Sequence, residues 1–217
     1  MIELRPAARP WARVGLMVIG LGLALALRLD IAGGVGVGHV GSGSRPIASG
    51  LMFALALLGL AGAGAGGFAD RTRQLSDRAP VRTRMGAGLV WGLVGAAVLV
   101  AFPLALRPLQ TAALGASLPS GYFAVWAAVV SLVAVAEEVL LRGVLFAAID
   151  EALGTATAVS LTAIAFALLH VPLYGPGVVL LDLAVGIWLG TLRVVSGSVV
   201  APASAHALAD LAAWWLV

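Results

Sequence analysis

Residues 121–149 form an apolar run with only three charged side chains, Glu137, Glu138 and Arg142. A run of that length reads as a membrane helix, which satisfies its own backbone polar groups in lipid. A charge near the bilayer centre costs at least ~2.5–3.5 kcal/mol on insertion scales. Two adjacent carboxylates and a guanidinium therefore need partners and a purpose, and the remaining chain has to supply them.

The other segments agree with a membrane setting. The chain of 217 residues is 61% hydrophobic and 11% charged, with a mean hydropathy of +1.07, whereas a soluble domain carries about 25% charged residues. All 13 basic residues are Arg; Lys, Cys and Asn are absent. Without Cys there is no disulfide framework and no thiolate nucleophile. The net charge of +3 does not point to nucleic acid, because the arginines cluster at the ends of apolar runs and set orientation instead. The predicted fold class is all-α, a polytopic transmembrane bundle of about seven helices.

The spans are expected at 14–27, 47–68, 85–106, 121–149, 155–171, 178–195 and 199–217. The long fourth segment leaves room for an eighth boundary. Residues 1–13 followed by the first run have the order of a signal peptide. Arg28 and Asp30 fit a cleavage region poorly, so the run reads as a first membrane helix. Residues 31–44 read as a Gly-rich external loop with a solvated His39. The glycines at 59, 62, 64, 66 and 67 predict close helix packing in the second span. Residues 70–84, with Arg71, Arg73, Arg78, Arg82 and Arg84, form the main polar loop, placed inside by the positive-inside rule. Residues 107–120 are a connecting loop. Polar turns are expected at 150–154, 173–177 and 196–198, with Pro172 ending the fifth helix. Two regions result: 1–120, the N-terminal helices and Arg-rich loop, and 121–217, the helical core with the charges.

An α-helix turns ~100° per residue, so Glu138 and Arg142 share a face while Glu137 points elsewhere. The simplest pairing is Glu138 with Arg142, leaving Glu137 for chemistry. Two later helices carry polar pairs at the same spacing, Phe166 with His170 and His206 with Asp210. Counting ~1.5 Å per residue from the expected turns puts Glu137 and His170 at ~20–24 Å and His206 at ~12 Å, all within the hydrocarbon core. A carboxylate and two imidazoles there have two schemes open. They activate water directly by general acid–base catalysis, or Glu137, His170 and His206 hold a divalent metal such as zinc that acidifies bound water. Both give hydrolysis. Taken singly, each residue also has a plainer reading: an ion cluster for Glu-Glu-Arg, core packing for Phe166, a structural pair for Asp182, packing or interfacial aromatics for Trp188, Trp214 and Trp215.

The three patterns together, Glu137-Glu138-x-x-x-Arg142, Phe166-x-x-x-His170 and His206-x-x-x-Asp210, resemble the motifs of the CPBP intramembrane proteases. This family contains the Rce1-type CAAX prenyl endopeptidases and the bacterial Abi-domain proteins. The resemblance covers 121–217. It implies an intramembrane endopeptidase, with Glu137 and His170 activating water and His206 with Asp210 stabilising the oxyanion. Glu138, Arg142 and Phe166 then give structural support. The family pattern has Asn where this chain has Asp210, which donates to an oxyanion only when protonated and otherwise orients His206 or helps hold a metal. A metal-free scheme is preferred, since these spacings do not dictate three ligands with an open position.

The expected partners are the lipid bilayer and a membrane-associated peptide or protein, with no nucleic acid. The Arg-, Ala- and Gly-rich composition points to a bacterial or archaeal plasma membrane. The expected topology sends His170 toward the outer half, whereas the resemblance implies a site opening to the cytosol. Two rival functions use the same cavity: a non-catalytic scaffold or bacteriocin-immunity-type protein, and a proton-coupled transporter. No inverted repeat is evident to favour the transporter.

Overall fold

The computed structural model describes residues 8–32, 44–65, 81–106 and 123–216, with side chains at 11–30, 47–65, 85–101 and 123–215. His39 and the loops at 70–80 and 107–120 lie outside the described residues. The described residues are helical, with no strand. The elements are α1 Ala8–Ala32, α2 Ser44–Ala65, α3 Val81–Leu106, α4 Phe123–Glu138, a π-helical turn Val139–Leu145, α5 Phe146–Leu153, α6 Thr155–Tyr174, a 3-10 turn Pro176–Val178, α7 Val179–Ser196 and α8 Val200–Leu216. The fourth segment is a single rod, Phe123–Leu153, so no eighth boundary falls within it.

Among the described residues, five helices are long and apolar enough to cross a membrane, and the apolar stretch Met85–Ala101 of α3 is shorter. Large apolar side chains face outward along these rods, among them Leu23, Leu55, Val90, Leu93 and Leu168. A water-soluble monomer does not expose so much contiguous apolar surface, whereas lipid accepts it. The protein is a multi-pass integral membrane protein.

Short contacts fix the direction of each rod. Gly20 lies against Leu60 and Gly64 against Met17, so α1 and α2 are antiparallel. Gly50 meets Val129 and Gly64 meets Val144, so α2 runs parallel to the fourth rod. Gly186 lies on Ala163 and Gly190 on Val159, making α6 and α7 antiparallel. Gly88 meets Val200 and Gly95 meets Ala205, so α3 and α8 are parallel. One end of the bundle thus gathers the ends of α1, α6 and α8 and the starts of α4 and α7. The opposite end gathers the start of α1, the turn after α5 and the start of α8.

Three local expectations change. The turn expected at 150–154 shrinks to Gly154, whose φ of 84° favours a residue without Cβ. Its N–H donates to Asp150 O at 3.0 Å, and Thr155 Oγ1 donates to Asp150 Oδ1 at 2.7 Å. Pro172 does not end its helix: it sits in the last turn of α6, which runs to Tyr174 and closes when Gly175 N–H donates to Val171 O at 2.8 Å. A proline that near a C-terminus forfeits one helical hydrogen bond without breaking the rod. The glycine contacts of α2 are also fewer than expected. Gly59 and Gly62 touch nothing, whereas Gly64 is tightly packed; Gly66 and Gly67 lie outside the described residues. The close approaches fall instead on Gly92 and Gly95 of α3 and on Gly186 of α7.

The expected turn at 196–198 is present, one residue further along. Gly197 has a φ of 64°, and Ser198 Oγ accepts the Val200 N–H at 3.1 Å, capping α8. This cap, with the α3 contacts, fixes the rotation of α8 and hence the direction of His206.

Candidate active site

The charges of the fourth rod lie where its α-helix widens into the π turn. Such turns add a residue to the local repeat and are frequent at functional sites. Glu138 and Arg142 are both fully buried. Arg142 Nη1 donates to Glu138 Oε1 at 2.8 Å and Nη2 to Gly186 O at 3.0 Å on α7. The guanidinium also stacks 4.9 Å from the Phe166 ring centroid. Arg193 of α7 donates from Nε to Arg142 O at 3.1 Å, taking up a carbonyl of the π turn. Two arginines thus tie the fourth rod to α7. A buried ion pair is compensated only when further hydrogen bonds serve it.

The same Glu138 Oε1 receives His206 Nδ1 at 3.1 Å from α8. A carboxylate accepts only, so Nδ1 carries the proton and Nε2 points onward, toward Asp210 Oδ2 at 3.6 Å. His170 Nδ1 lies 2.9 Å from Phe166 O. By the same reasoning Nδ1–H donates to that carbonyl and Nε2 is left for other work. The Phe166 ring sits between the two imidazoles, 4.5 Å from His170 and 5.3 Å, edge-on, from His206.

Glu137 points away from this pair. It is 2% exposed, and its Oε1 lies 3.9 Å from Arg28 Nη1 of α1. His170, His206, Arg28 and Asp210 all lie within its electrostatic reach. Arg28 is itself poised over the Phe53 ring, 4.6 Å from its centroid. Asp182 of α7 reaches His170 Nδ1 at 3.9 Å, and Tyr174 stacks on His170 with ring centroids 5.7 Å apart. The Asp210 side chain is 41% exposed and Tyr174 57%, so this layer is not sealed inside the bundle.

Three rods therefore gather Glu137, Glu138, Arg142, Phe166, His170, His206 and Asp210 in one cluster. Three members lay outside the expected set. Asp182, read as a structural pair, joins His170. Arg28 carried only the signal of a helix-end arginine, and Tyr174 only that of a turn residue. Sequence spacing does not show that α1 folds back across Glu137.

Glu137, His170 and His206 are not disposed as a metal-ligand set. Among the described residues, no group of three or more His, Cys, Asp or Glu side chains is disposed to hold a metal ion. His206 turns Nδ1 to Glu138 and Nε2 to Asp210, and His170 turns Nδ1 to a carbonyl.

Fold and site together define a polytopic helical membrane protein with an acid and two imidazoles converging inside the bundle. Residues 119–212 match the Rce1-like family, described as type II CAAX prenyl endopeptidase Rce1-like. The match covers the helices that carry Glu137, His170 and His206. Neither a curated protein nor a solved structure matches the chain significantly.

Proposed function

We propose that the protein is an intramembrane endopeptidase that hydrolyses peptide bonds of membrane-associated substrates with a water activated by Glu137. The observation that carries this reading is the division of labour between adjacent carboxylates. Glu138 Oε1 is taken by both Arg142 and His206, at 2.8 and 3.1 Å, with Oε2 buried and unpartnered among the described residues, whereas Glu137 has a loose cation at 3.9 Å and two imidazoles in reach.

In this mechanism the Glu137 carboxylate takes a proton from water. The water oxygen bonds to the substrate carbonyl carbon, and the carbonyl electron pair moves onto oxygen. His206, held by Glu138 through Nδ1, donates from Nε2 to that oxyanion when Nε2 is protonated. Asp210 orients the ring. His170, within electrostatic reach of Glu137, assists proton transfer, and Phe166 packs against both rings. Collapse of the tetrahedral species breaks the C–N bond, and the proton held by Glu137 passes to the leaving amine. No step passes through a metal.

The test is mass-spectrometric detection of cleavage of a membrane-associated peptide library by purified protein, with Glu137→Ala, His170→Ala and His206→Ala alongside. The proposal requires products from the native protein and loss of them in all three variants. Unchanged turnover in all three removes it. Partner binding without cleavage that survives Glu137→Gln marks a scaffold instead.

A further inference from the structure

We infer that the site opens on the membrane face opposite the Arg-rich loop, and that its substrates are peptide segments presented from the extracytoplasmic side. The inference rests on the peptidase reading for its substrate, but on rod directions and charge for its geometry.

The residues leading outward from the buried pair lie toward one end. Arg28 is near the end of α1, Tyr174 ends α6, Asp182 lies in the first turn of α7, and Asp210 lies in the second half of α8. Aromatic side chains mark that end. Phe123 and Trp126 at the start of α4 pack on Trp214 and Trp215 at the end of α8, with ring centroids 4.8–6.1 Å apart. Such a cluster belongs at a headgroup interface. At ~1.5 Å per residue, Asp210 lies ~6 Å below Trp214, His206 ~12 Å, and Glu137 ~16 Å below Trp126. The polar groups form steps from that interface to the reacting carboxylate. At the other end Trp11 stands near the start of α1, about a hydrocarbon thickness away along the helix.

Arginine is divided unequally between the ends. Residues 1–13 and 66–84 join rods at the end far from the site, and they carry Arg5, Arg9, Arg13, Arg71, Arg73, Arg78, Arg82 and Arg84. At the site end, Arg45 stands in the first turn of α2 and Arg28 is committed to the cluster, and Arg107 follows α3 in sequence. Short loops rich in arginine stay in the cytoplasm. The aromatic end and the route to Glu137 therefore face away from it.

Absence of Cys makes the test direct. Gly177→Cys and Trp215→Cys mark the site end, and Leu153→Cys and Ala156→Cys mark the other; all four positions are exposed. Each variant is produced in bacterial cells, converted to spheroplasts and treated with a charged, membrane-impermeant maleimide before and after lysis. Labelling of the first pair in intact spheroplasts, and of the second pair only after lysis, is expected. The reverse order, or equal labelling of both pairs, overturns the inference. Vesicles sorted by accessibility of Gly177→Cys then receive an impermeant peptide substrate from outside. Cleavage only where that cysteine is accessible is expected, and cleavage only in the opposite orientation overturns it. Labelling needs no activity, and the detergent assay of Glu137→Ala is blind to sidedness. A reversed label with intact cleavage rejects the orientation alone. The expected label without cleavage in detergent rejects the peptidase reading and with it the substrate assignment.

Discussion

Two layers of the same cluster differ in how tightly they are made. Around Glu138, contacts are short: 2.8 Å to Arg142, 3.1 Å to His206, and 3.0 Å from Arg142 to Gly186 O. Around Glu137 they are long: 3.9 Å to Arg28, 3.9 Å between His170 and Asp182, and 3.6 Å between His206 and Asp210. The inner layer is buried and spans the fourth rod, α7 and α8. The outer layer is partly exposed at Asp210 and Tyr174. Charge-assisted bonds near 2.8 Å are strong and hold geometry, whereas pairs near 4 Å leave room for water or a substrate atom between them. The lesson is that one carboxylate of an adjacent pair is spent on architecture so that its neighbour stays available.

Breaking the inner layer has the largest expected effect. Arg142→Ala leaves Glu138 buried without its cation, and loss of one partner of a buried pair costs about 3–5 kcal/mol. Thermal unfolding in detergent, followed by circular dichroism, should show the midpoint falling sharply or no folded protein accumulating. Gly186→Ala comes next. A Cβ there would meet Ala163 Cα at 2.8 Å and Ala163 O at 3.1 Å, so α6 and α7 must part and the Gly186 carbonyl that Arg142 uses must move. Overpacking of this kind costs about 1–3 kcal/mol, readable in the same experiment, and turnover should fall as Phe166 and His170 shift.

The outer layer should respond in the opposite way. Arg28→Gln removes a cation that stands 3.9 Å from Glu137, beyond hydrogen-bond distance. The midpoint should hardly move, while turnover falls about tenfold, equivalent to about 1.4 kcal/mol of barrier. Arg28→Lys should restore most of it. Tyr174→Phe is the mildest: it keeps the ring stacked on His170 and removes one hydroxyl, so peptidase assays should show less than about a threefold change, under about 1 kcal/mol.

The inner layer was the more legible of the two from sequence. Glu138 and Arg142 are four apart on one helix, and that spacing alone forces them together whatever the bundle does; even the π turn after Glu138 leaves the pair intact. The rods themselves were legible because lipid permits few alternatives to helix. The outer layer was not. Arg28, Asp182 and Tyr174 join it only because α1, α6 and α7 meet at particular rotations, and those follow from contacts such as Gly186 on Ala163 and Gly64 on Met17. Glycine counts misled in α2 for the same reason: Gly59 and Gly62 face outward, and nothing local distinguishes them from Gly64. Pro172 misled because position within the last turn decides whether a proline breaks a helix.

The sharpest measurement pairs turnover with thermal unfolding for Glu137→Gln and Glu138→Gln in the purified protein. The account predicts that Glu137→Gln keeps the native midpoint and loses about 10²–10⁴-fold in turnover, the usual worth of a general base, while Glu138→Gln lowers the midpoint by weakening its bonds to Arg142 and His206. Full turnover in a folded Glu137→Gln protein, or a native midpoint with lost turnover in Glu138→Gln alone, would contradict it.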